Sequence, residues 1–403
     1  MKKTNRWIIA TAGVVVLLFA GLIYAWSVLS SPIATEYSGW SKGALSLTFT
    51  LAMSFFCIGG LIAGILASKV RERYLLIISS LLLLGGFEMV SALNSLPALY
   101  MGFGVLAGLG AGFSYNAVMG SITKWFPDRK GLISGILLMG FGIGAFLIGK
   151  VYASLLATYS WREEFKVMGF IVFAVILIGA FIIRRPKSEE IAEYEIEHGT
   201  EDTAGVDYTT LEMVKKGSFW LYFCYAILLS AAALALIAQA SGIVLETDGD
   251  LGAGTIATIV GLISIFNGVG RVIFGGLYDK LGQKRTMLLN LGLYLVSVII
   301  NIIGLNMGSL AVIIIGFICF GLSYGGVTPT NSAFIMDFYG VKHYPVNFSI
   351  INLNLLIASF GGTLAGAIYD REGSFSSIFM IMLFAIALAL VCALLIRRPV
   401  RNE

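Results

Sequence analysis

One arginine, Arg271, lies inside an apolar stretch of the sequence that runs from residue 254 to residue 278. Its guanidinium is always charged at physiological pH, and a charge at the depth of a membrane costs at least about 2.5 kcal/mol on insertion scales. The planar guanidinium can donate two parallel hydrogen bonds to a carboxylate. We therefore expect Arg271 to bind an anion inside a membrane. A fixed ion pair with Glu88, an acid in another apolar stretch, is the alternative.

Two further charged residues lie inside predicted apolar stretches. Lys150 lies roughly 9 Å beyond the middle of the stretch 131–157, by helical rise. Its ammonium either reaches the membrane surface on a flexible stem or faces the anion as a second cationic group. Glu88, in the stretch 75–93, is the candidate proton carrier, because an acid inside a membrane span is by default a functional-site hypothesis. Pairing with another helix or contact with lipid headgroups is the alternative for Glu88.

These residues depend on helices that cross a membrane, and the composition predicts many such helices. Of the 403 residues, 58% are hydrophobic and 12% are charged, and the mean hydropathy is +0.90. One crossing requires about 20 predominantly apolar residues. We therefore predict an all-α membrane protein with twelve transmembrane helices in two bundles of six. The predicted spans are 7–30, 43–67, 75–93, 99–123, 131–157, 166–183, 218–245, 254–278, 286–306, 310–335, 345–369 and 375–396.

The basic residues predict how these helices are oriented. With the N-terminus in the cytoplasm, the inner connections hold 21 of the 27 Lys and Arg residues, and the outer connections hold 4. Cytoplasmic loops carry the excess of Lys and Arg, so both termini are predicted to be cytoplasmic, in the plasma (inner) membrane. The same asymmetry accounts for the net charge of +4, so no nucleic acid is expected as a partner. The expected partners are the lipid bilayer and a small anion, with protons as an open alternative.

The sequence offers little for catalysis or for metal binding. Its two histidines, His198 and His343, lie in predicted cytoplasmic connections, and no cysteine or histidine cluster has the spacing of metal ligands. The four cysteines lie in predicted spans, where we expect buried free thiols. We therefore expect a monomer that is not an enzyme and that requires neither a metal nor a cofactor. A membrane sensor or a membrane-embedded enzyme is the rival class, for which only the stretch 184–217 offers a partner surface.

The two halves of the chain repeat one another. The polar stretch 184–217 separates the predicted bundles 1–183 and 218–403, and we expect it to be a cytoplasmic linker. In each half, the second predicted helix ends in a related sequence, at 64–73 and at 275–285. Internal repeats of this kind are typical of secondary transporters, whose site lies at the repeat interface near the bilayer midplane.

The end of the eighth predicted helix resembles the loop motif of the major facilitator superfamily. The matching residues are Gly275, Asp279, Lys280, Gly282 and Lys284. The resemblance implies that Asp279 and Lys280 control conformational gating, since an acid at this helix end can pair with neighbouring bases and brace the two bundles in one state.

Helices 4 and 5 carry a narrower resemblance. The run Lys-Trp-Phe-Pro-Asp-Arg at 124–129, flanked by glycine-rich segments at 108–116 and 140–145, resembles the oxalate/formate antiporter family, which is similar to the monocarboxylate transporters. The resemblance extends over nearly the whole chain. Asp128 and Arg129, within the most specific segment, are further candidates for conformational gating.

The same resemblance implies where the anion binds. The family places a substrate-binding arginine at the position of Arg271, and helices 1, 4 and 10 line the transport path in this superfamily. Phe320 and Tyr324 are one helical turn apart and therefore share a face. The remaining candidates for contact with the anion are Tyr24, Tyr115, Asn116, Phe320, Tyr324 and Asn354.

One departure from the antiporter family bears on the substrate. Leu355 stands where the oxalate antiporter has a lysine, and its neighbours Asn352 and Asn354 donate hydrogen bonds without charge. A second negative charge left uncompensated in a low-dielectric site costs several kcal/mol. We therefore expect lactate, formate, acetate or a similar monocarboxylate, carried by alternating access through proton symport or anion exchange.

Two alternatives for the substrate stay open. An oxalate or other dicarboxylate antiporter would use Lys150 as its second cation, and a facilitator of non-anionic solutes would not need Arg271 at all. The coupling is also open, because Asn267 stands where the monocarboxylate transporters have an aspartate that serves proton coupling.

Overall fold

The computed structural model describes residues 5–155, 158–187, 189–190 and 207–399. All regular secondary structure in these residues is helical, which confirms the predicted all-α class. Half of the predicted linker 184–217 lies outside the described residues, so the structure of that half stays a prediction.

The chain divides into two compact units. The first comprises Met1–Asp128, Gly140–Ala204 and His343–Ile350, and the second comprises Arg129–Met139, Gly205–Lys342 and Ile351–Glu403. Each unit therefore contains one short segment from the other half of the sequence.

The helices of the first half follow the predicted spans closely. They are α1 (Arg6–Ala20), a 3₁₀ segment (Gly21–Ala25), α2 (Trp26–Glu36), α3 (Lys42–Leu66), α4 (Glu72–Ser91), α5 (Leu96–Leu99), a π-helical segment (Tyr100–Ala107), α6 (Gly108–Ile122), a 3₁₀ turn (Thr123–Trp125), α7 (Lys130–Leu155) and α8 (Trp161–Ile182). Those of the second half are α9 (Thr210–Val214), α10 (Gly217–Thr247), α11 (Ala253–Met307), α12 (Leu310–Gly325), α13 (Val327–Tyr339), α14 (Tyr344–Asn352), α15 (Asn354–Ala358), α16 (Phe360–Glu372) and α17 (Ser376–Leu395).

Polar residues begin several of these helices. The side chain of Ser41 accepts a hydrogen bond from the backbone N–H of Ala44 at the start of α3. At the start of α8, Ser160 and Glu163 form a reciprocal capping box. Such caps satisfy backbone donors that have no partner inside the helix.

Eleven helical stretches in the described residues are long and apolar enough to cross a membrane. One of them, Thr258–Met307, has 50 residues, more than twice the ~20 that one crossing requires, and it joins two helices across a kink. The helix α11, Ala253–Met307, covers both predicted spans, 254–278 and 286–306. Between them, Gly282 has φ +75°, a left-handed conformation that glycine adopts without steric cost, and it interrupts the helix.

The first predicted span is also interrupted. Residues 7–30 were expected to form one helix, but the 3₁₀ segment Gly21–Ala25 separates α1 from α2. A Cβ at Gly21 would lie 2.1 Å from the carbonyl oxygen of Phe141, so α7 crosses here at a distance that only glycine allows. A short 3₁₀ stretch inside a long helix often marks a functional or strained position. Tyr24 lies in this stretch.

Large apolar side chains are exposed on both units. Phe181 in the first unit and Phe384 in the second are 61% and 66% exposed. Apolar exposure on this scale marks a surface that contacts lipid or protein. The expectation that all four cysteines are buried is wrong, because only Cys57 is buried. Cys224 is exposed, and Cys319 and Cys392 are half-buried. An apolar residue in a membrane helix can face lipid as readily as the protein core.

Candidate functional site

Arg271 lies on α11, about 16 Å by helical rise before the break at Gly282. Its side chain is half-buried. The Nε atom donates a hydrogen bond to Oδ1 of Asn267 at 2.9 Å, and Nη1 donates to the backbone carbonyl of Leu138 on α7. Among the described residues, none accepts a hydrogen bond from Nη2, and no carboxylate forms an ion pair with Arg271. The guanidinium is therefore held by neutral oxygen atoms, and no described carboxylate compensates its charge.

Close backbone contacts fix the position of Arg271. A Cβ at Gly135 of α7 would lie 2.2 Å from the carbonyl oxygen of Arg271. A Cβ at Gly325 of α12 would lie 2.2 Å from the carbonyl oxygen of Asn267. Small residues let helices approach this closely inside lipid. The segment Arg129–Met139 and the end of α12 therefore contact α11 at the turn that carries Asn267 and Arg271, all within the second unit.

Tyr324 and Phe320 have different surroundings although they are one turn apart on α12. Tyr324 is half-buried and interacts electrostatically with Arg271. Phe320 is fully buried, and its ring packs edge-to-face on Tyr294 at a centroid distance of 5.2 Å. The structure thus places Tyr324 near Arg271 and Phe320 in the core of the second unit. We use the name Arg271 site for Leu138, Asn267, Arg271 and Tyr324.

Asn354 is fully buried at the start of the short helix α15. Its Oδ1 accepts a hydrogen bond from Oγ of Ser230 at 3.2 Å, and its Nδ2 donates to the carbonyl of Ile351 at 2.5 Å. The next residue, Leu355, is 8% exposed. Both groups of the Asn354 amide are therefore engaged by protein atoms.

Tyr24 and Tyr115 belong to one aromatic cluster in the first unit. Tyr24 packs edge-to-face on Phe141 with centroids 5.4 Å apart, and Tyr115 packs on the same ring at 5.2 Å. Phe348 of α14 stacks on Tyr115 at 5.6 Å, with 11° between the ring planes. Phe56 completes the cluster at 5.1 Å from Tyr115. Tyr24 is the half-buried member beside the buried Tyr115, so the cluster is tightly packed around α7.

Asn116 lies next to this cluster and is 1% exposed. Its Nδ2 donates to the carbonyl of Pro345 at 2.8 Å and to Oγ of Ser349 at 2.6 Å. The Ser349 hydroxyl in turn donates to the carbonyl of Gly60 at 2.8 Å. These bonds join α3, α6 and the segment His343–Ile350 inside the first unit.

Lys150 and Glu88 lie on different helices of the first unit. Lys150 is exposed on α7, with Nζ 4.5 Å from the centre of the Phe146 ring. Glu88 is half-buried on α4, and its Oε1 is buried without a hydrogen-bond partner among the described residues. A Cβ at Gly169 of α8 would lie 3.5 Å from this oxygen. Glu88 therefore faces α8.

The gating candidates form two separate contacts. In the second unit, the Asp279 carboxylate accepts hydrogen bonds from the backbone N–H groups of Gly131 and Leu132, both at 2.7 Å. A carboxylate at a helix N-terminus satisfies free donors and complements the helix dipole, so Asp279 caps α7. In the first unit, Asp128 forms an ion pair with Arg6 at 2.8 Å. Lys280 and Arg129, the sequence neighbours of these acids, are exposed.

Sequence reasoning missed the contribution of α7 to the Arg271 site. Leu138 acts through its backbone carbonyl, which every residue possesses, so no residue type marks it. Gly135 gave a weak indication of this contact in the sequence, because a small residue one turn before Leu138 permits a close helix crossing. Asn267 could be identified from the sequence as a polar residue one helical turn before Arg271, and in the structure its amide oxygen accepts a hydrogen bond from Arg271.

Comparisons with known proteins agree with this architecture. The family model of the Major Facilitator Superfamily matches residues 11–360. The chain is 28% identical over 374 residues to the oxalate:formate antiporter of Oxalobacter formigenes, covering 92% of this chain and 86% of that protein. It is 24% identical over 335 residues to monocarboxylate transporter 13 of Rattus norvegicus, covering 80% and 73%.

A solved structure shows the same fold. The proton:xylose symporter XylE, bound to 6-bromo-6-deoxy-D-glucose, superimposes with a TM-score of 0.73 over 97% of this chain and 95% of that chain. Sequence identity is 13%, so the likeness concerns the fold.

Proposed function

The chain belongs to the Major Facilitator Superfamily, and on that premise we propose that it transports small monocarboxylate anions by alternating access. The observation that carries the proposal is the charge state of the Arg271 site. Its one guanidinium is held by an amide oxygen and a backbone carbonyl, both of them neutral. A charge inside a membrane span is costly, and a bound monocarboxylate would neutralise it.

The geometry of the guanidinium suggests how an anion binds. The Nη2 atom has no described acceptor, whereas Nε and Nη1 are engaged. A bidentate contact with a carboxylate uses two parallel N–H donors. We propose that Nη2 makes the first contact and that the bond from Nη1 to Leu138 opens to supply the second donor. Because Leu138 lies on α7, this exchange would couple anion binding to the packing of α7 on α11.

The charge balance supports a monoanion. One carboxylate with one guanidinium leaves no net charge, whereas a dianion leaves an uncompensated negative charge that costs several kcal/mol in a low-dielectric site. The residue at the position of the antiporter's second cation is the apolar Leu355, which is 8% exposed. Two relatives carry names that include formate or monocarboxylate, which fits the same substrate class.

A dicarboxylate remains the second candidate, because one relative is named for oxalate as well as formate. It requires Lys150 as the second cation. Lys150 is exposed and its ammonium lies over the Phe146 ring, so we favour the monocarboxylate.

We propose further that residues 1–183 and 218–403 form the two transporting bundles, joined by a cytoplasmic linker at 184–217, with both termini in the cytoplasm of the cell that carries the protein in its plasma membrane. We propose that Tyr24, Tyr115 and Tyr324 orient the anion or close its path. Asn116, Phe320 and Asn354 would support the site through their buried contacts rather than touch the anion.

The coupling mode is testable once transport is established. Proton symport predicts that an inward proton gradient drives uptake into vesicles without internal substrate, and we propose Glu88 as the proton carrier in that case. Anion exchange predicts that uptake requires an internal monocarboxylate and does not respond to the gradient.

A thermal-shift screen of carboxylic acids on the purified protein tests the substrate class. A ligand that binds the folded state raises its apparent stability. The proposal predicts that formate, acetate or lactate raises the melting temperature of the wild-type protein, and that oxalate raises it less. A larger shift with oxalate, or shifts only with neutral solutes, would contradict it.

A further inference from the structure

A cavity of about 520 Å³ lies in the first unit between α7 and α8, apart from the Arg271 site. Its volume falls within the ~300–1,000 Å³ typical of small-molecule sites. The walls are apolar, with Ile148 and Val151 on α7 and Val167 and Ile171 on α8. Val151, Val167 and Ile171 are also exposed on the surface of the unit, so the cavity opens where a lipid chain can enter.

A buried acid lines this cavity. Glu164 is 5% exposed, and neither of its carboxylate oxygens has a hydrogen-bond partner in the part of the chain that the structure describes. The hydroxyl of Tyr152, which is fully buried beside the same cavity, has no described partner either, and it interacts electrostatically with Glu164. Buried polar groups are nearly always satisfied, and each exception requires an explanation.

The basic residues nearest to Glu164 in the sequence form other contacts or are exposed. Arg162 forms an ion pair with Glu36 at 2.8 Å and also donates to the Tyr37 hydroxyl at 2.9 Å. Lys150 lies over the Phe146 ring, and Lys166 is exposed. No described Lys, Arg or His therefore pairs with Glu164, and the carboxyl has room in the cavity for a partner that the described residues do not supply.

The other polar and aromatic groups of the cavity favour a cation. Glu163 also lines it and adds a second carboxylate at the exposed start of α8. Phe19, Tyr152 and Tyr159 line the same space. Carboxylates together with aromatic rings are the groups that recognise ammonium ions in proteins. The apolar walls between α7 and α8 suit a hydrocarbon chain.

We propose that this cavity binds an aminophospholipid, with the lipid ammonium on Glu164 and one acyl chain along Val151, Val167 and Ile171. The lipid satisfies the buried carboxylate and fills the apolar space in one step. The site is distinct from the anion site, and it does not depend on the proposed transport function.

Native mass spectrometry of the purified full-length protein tests this proposal. The protein is incubated with equal amounts of dioleoyl phosphatidylethanolamine and dioleoyl phosphatidylglycerol, which share acyl chains and differ in the ammonium. We expect the wild type to retain at least tenfold more phosphatidylethanolamine. We expect Glu164→Gln to bring the ratio close to one, and the matched control Asp250→Asn, an exposed acid of the second unit, to keep the wild-type ratio.

The comparison of the two lipids on the wild-type protein tests the proposal without any variant. Equal retention of the two lipids by the wild type would overturn the proposal, as would an unchanged preference in Glu164→Gln. Phosphoethanolamine, which has the head group without chains, is added as a competitor. Failure to displace the lipid supports the acyl-chain contact, and displacement at a concentration equal to that of the lipid would overturn it.

Discussion

Arg271 and Asn267 lie one turn apart on α11, and Nε of Arg271 donates to Oδ1 of Asn267 at 2.9 Å. An amide at this position orients the guanidinium without neutralising it. An ionised carboxylate at the same position would pair with Arg271 and compete with the proposed anion, whereas the aspartate that the resemblance places here in the monocarboxylate transporters serves proton coupling. The pair therefore holds the guanidinium in place without compensating its charge, which is the state that the proposed anion binding requires.

The first prediction concerns the substitution Asn267→Asp. At a pH at which the new carboxylate is ionised it pairs with Arg271, and we expect monocarboxylate binding to weaken about tenfold, which corresponds to ~1.4 kcal/mol. We expect binding to recover when the pH is lowered and the carboxyl is protonated. Titration calorimetry with formate or lactate measures the change. Asn267→Ala removes the acceptor but leaves the charge, so its loss is expected to be smaller. Affinity for the Asp variant equal to that of the wild type would refute this role of Asn267.

The second prediction concerns Leu355. Leu355→Lys supplies a second cation on α15, and we expect oxalate to become a better competitor of formate uptake than it is for the wild type. The control Leu355→Gln has a similar size and no charge and should not gain oxalate competition. A gain in the Gln variant would show that polarity rather than charge is responsible.

The third prediction concerns the crossing of α7 and α11. A Cβ at Gly275 would lie 2.2 Å from the carbonyl oxygen of Gly131, whereas a Cβ at Gly276 would lie 3.6 Å from the flexible end of the Leu132 side chain. Overpacking of this kind costs about 1–3 kcal/mol. We expect Gly275→Ala to lower the melting temperature by several degrees and Gly276→Ala to leave it nearly unchanged. Equal melting temperatures for the two variants would contradict the close crossing.

The fourth prediction concerns the cap on α7. Asp279→Ala removes both carboxylate acceptors from the backbone of Gly131 and Leu132, and loss of a helix cap costs about 0.5–2 kcal/mol. We expect a lower melting temperature for this variant. Lys280→Ala changes an exposed neighbour and should melt like the wild type. The prediction fails if the two variants melt at the same temperature.

Much of this architecture could be predicted from the sequence because a membrane helix requires a long run of apolar residues. The depth of Arg271 followed from counting residues along such a run. The polar residues 279–285 predict a break between the spans 254–278 and 286–306, and the non-helical backbone of Gly282 separates two helices there. The polar residues alone do not show which residue breaks the helix. Hydropathy measures the environment of a segment and does not measure its backbone conformation.

The details of the Arg271 site were less accessible to sequence reasoning. Phe320 and Tyr324 share a face by their spacing, yet one packs in the core against Tyr294 and the other lies near Arg271. The neighbouring helices decide which side chain faces a site. The spacing of residues along one helix carries no information about those neighbours. The carbonyl of Leu138 carries no residue-type signal at all.

Uptake of radiolabelled formate or lactate into proteoliposomes that contain Arg271→Lys tests the central claim most directly. Lysine keeps the positive charge but lacks the planar pair of donors, so the account predicts uptake at the level of protein-free liposomes. Arg285→Lys, an exposed substitution of the same kind, should transport like the wild type, and equal melting temperatures would show that both variants are folded. Full transport by Arg271→Lys would contradict the account.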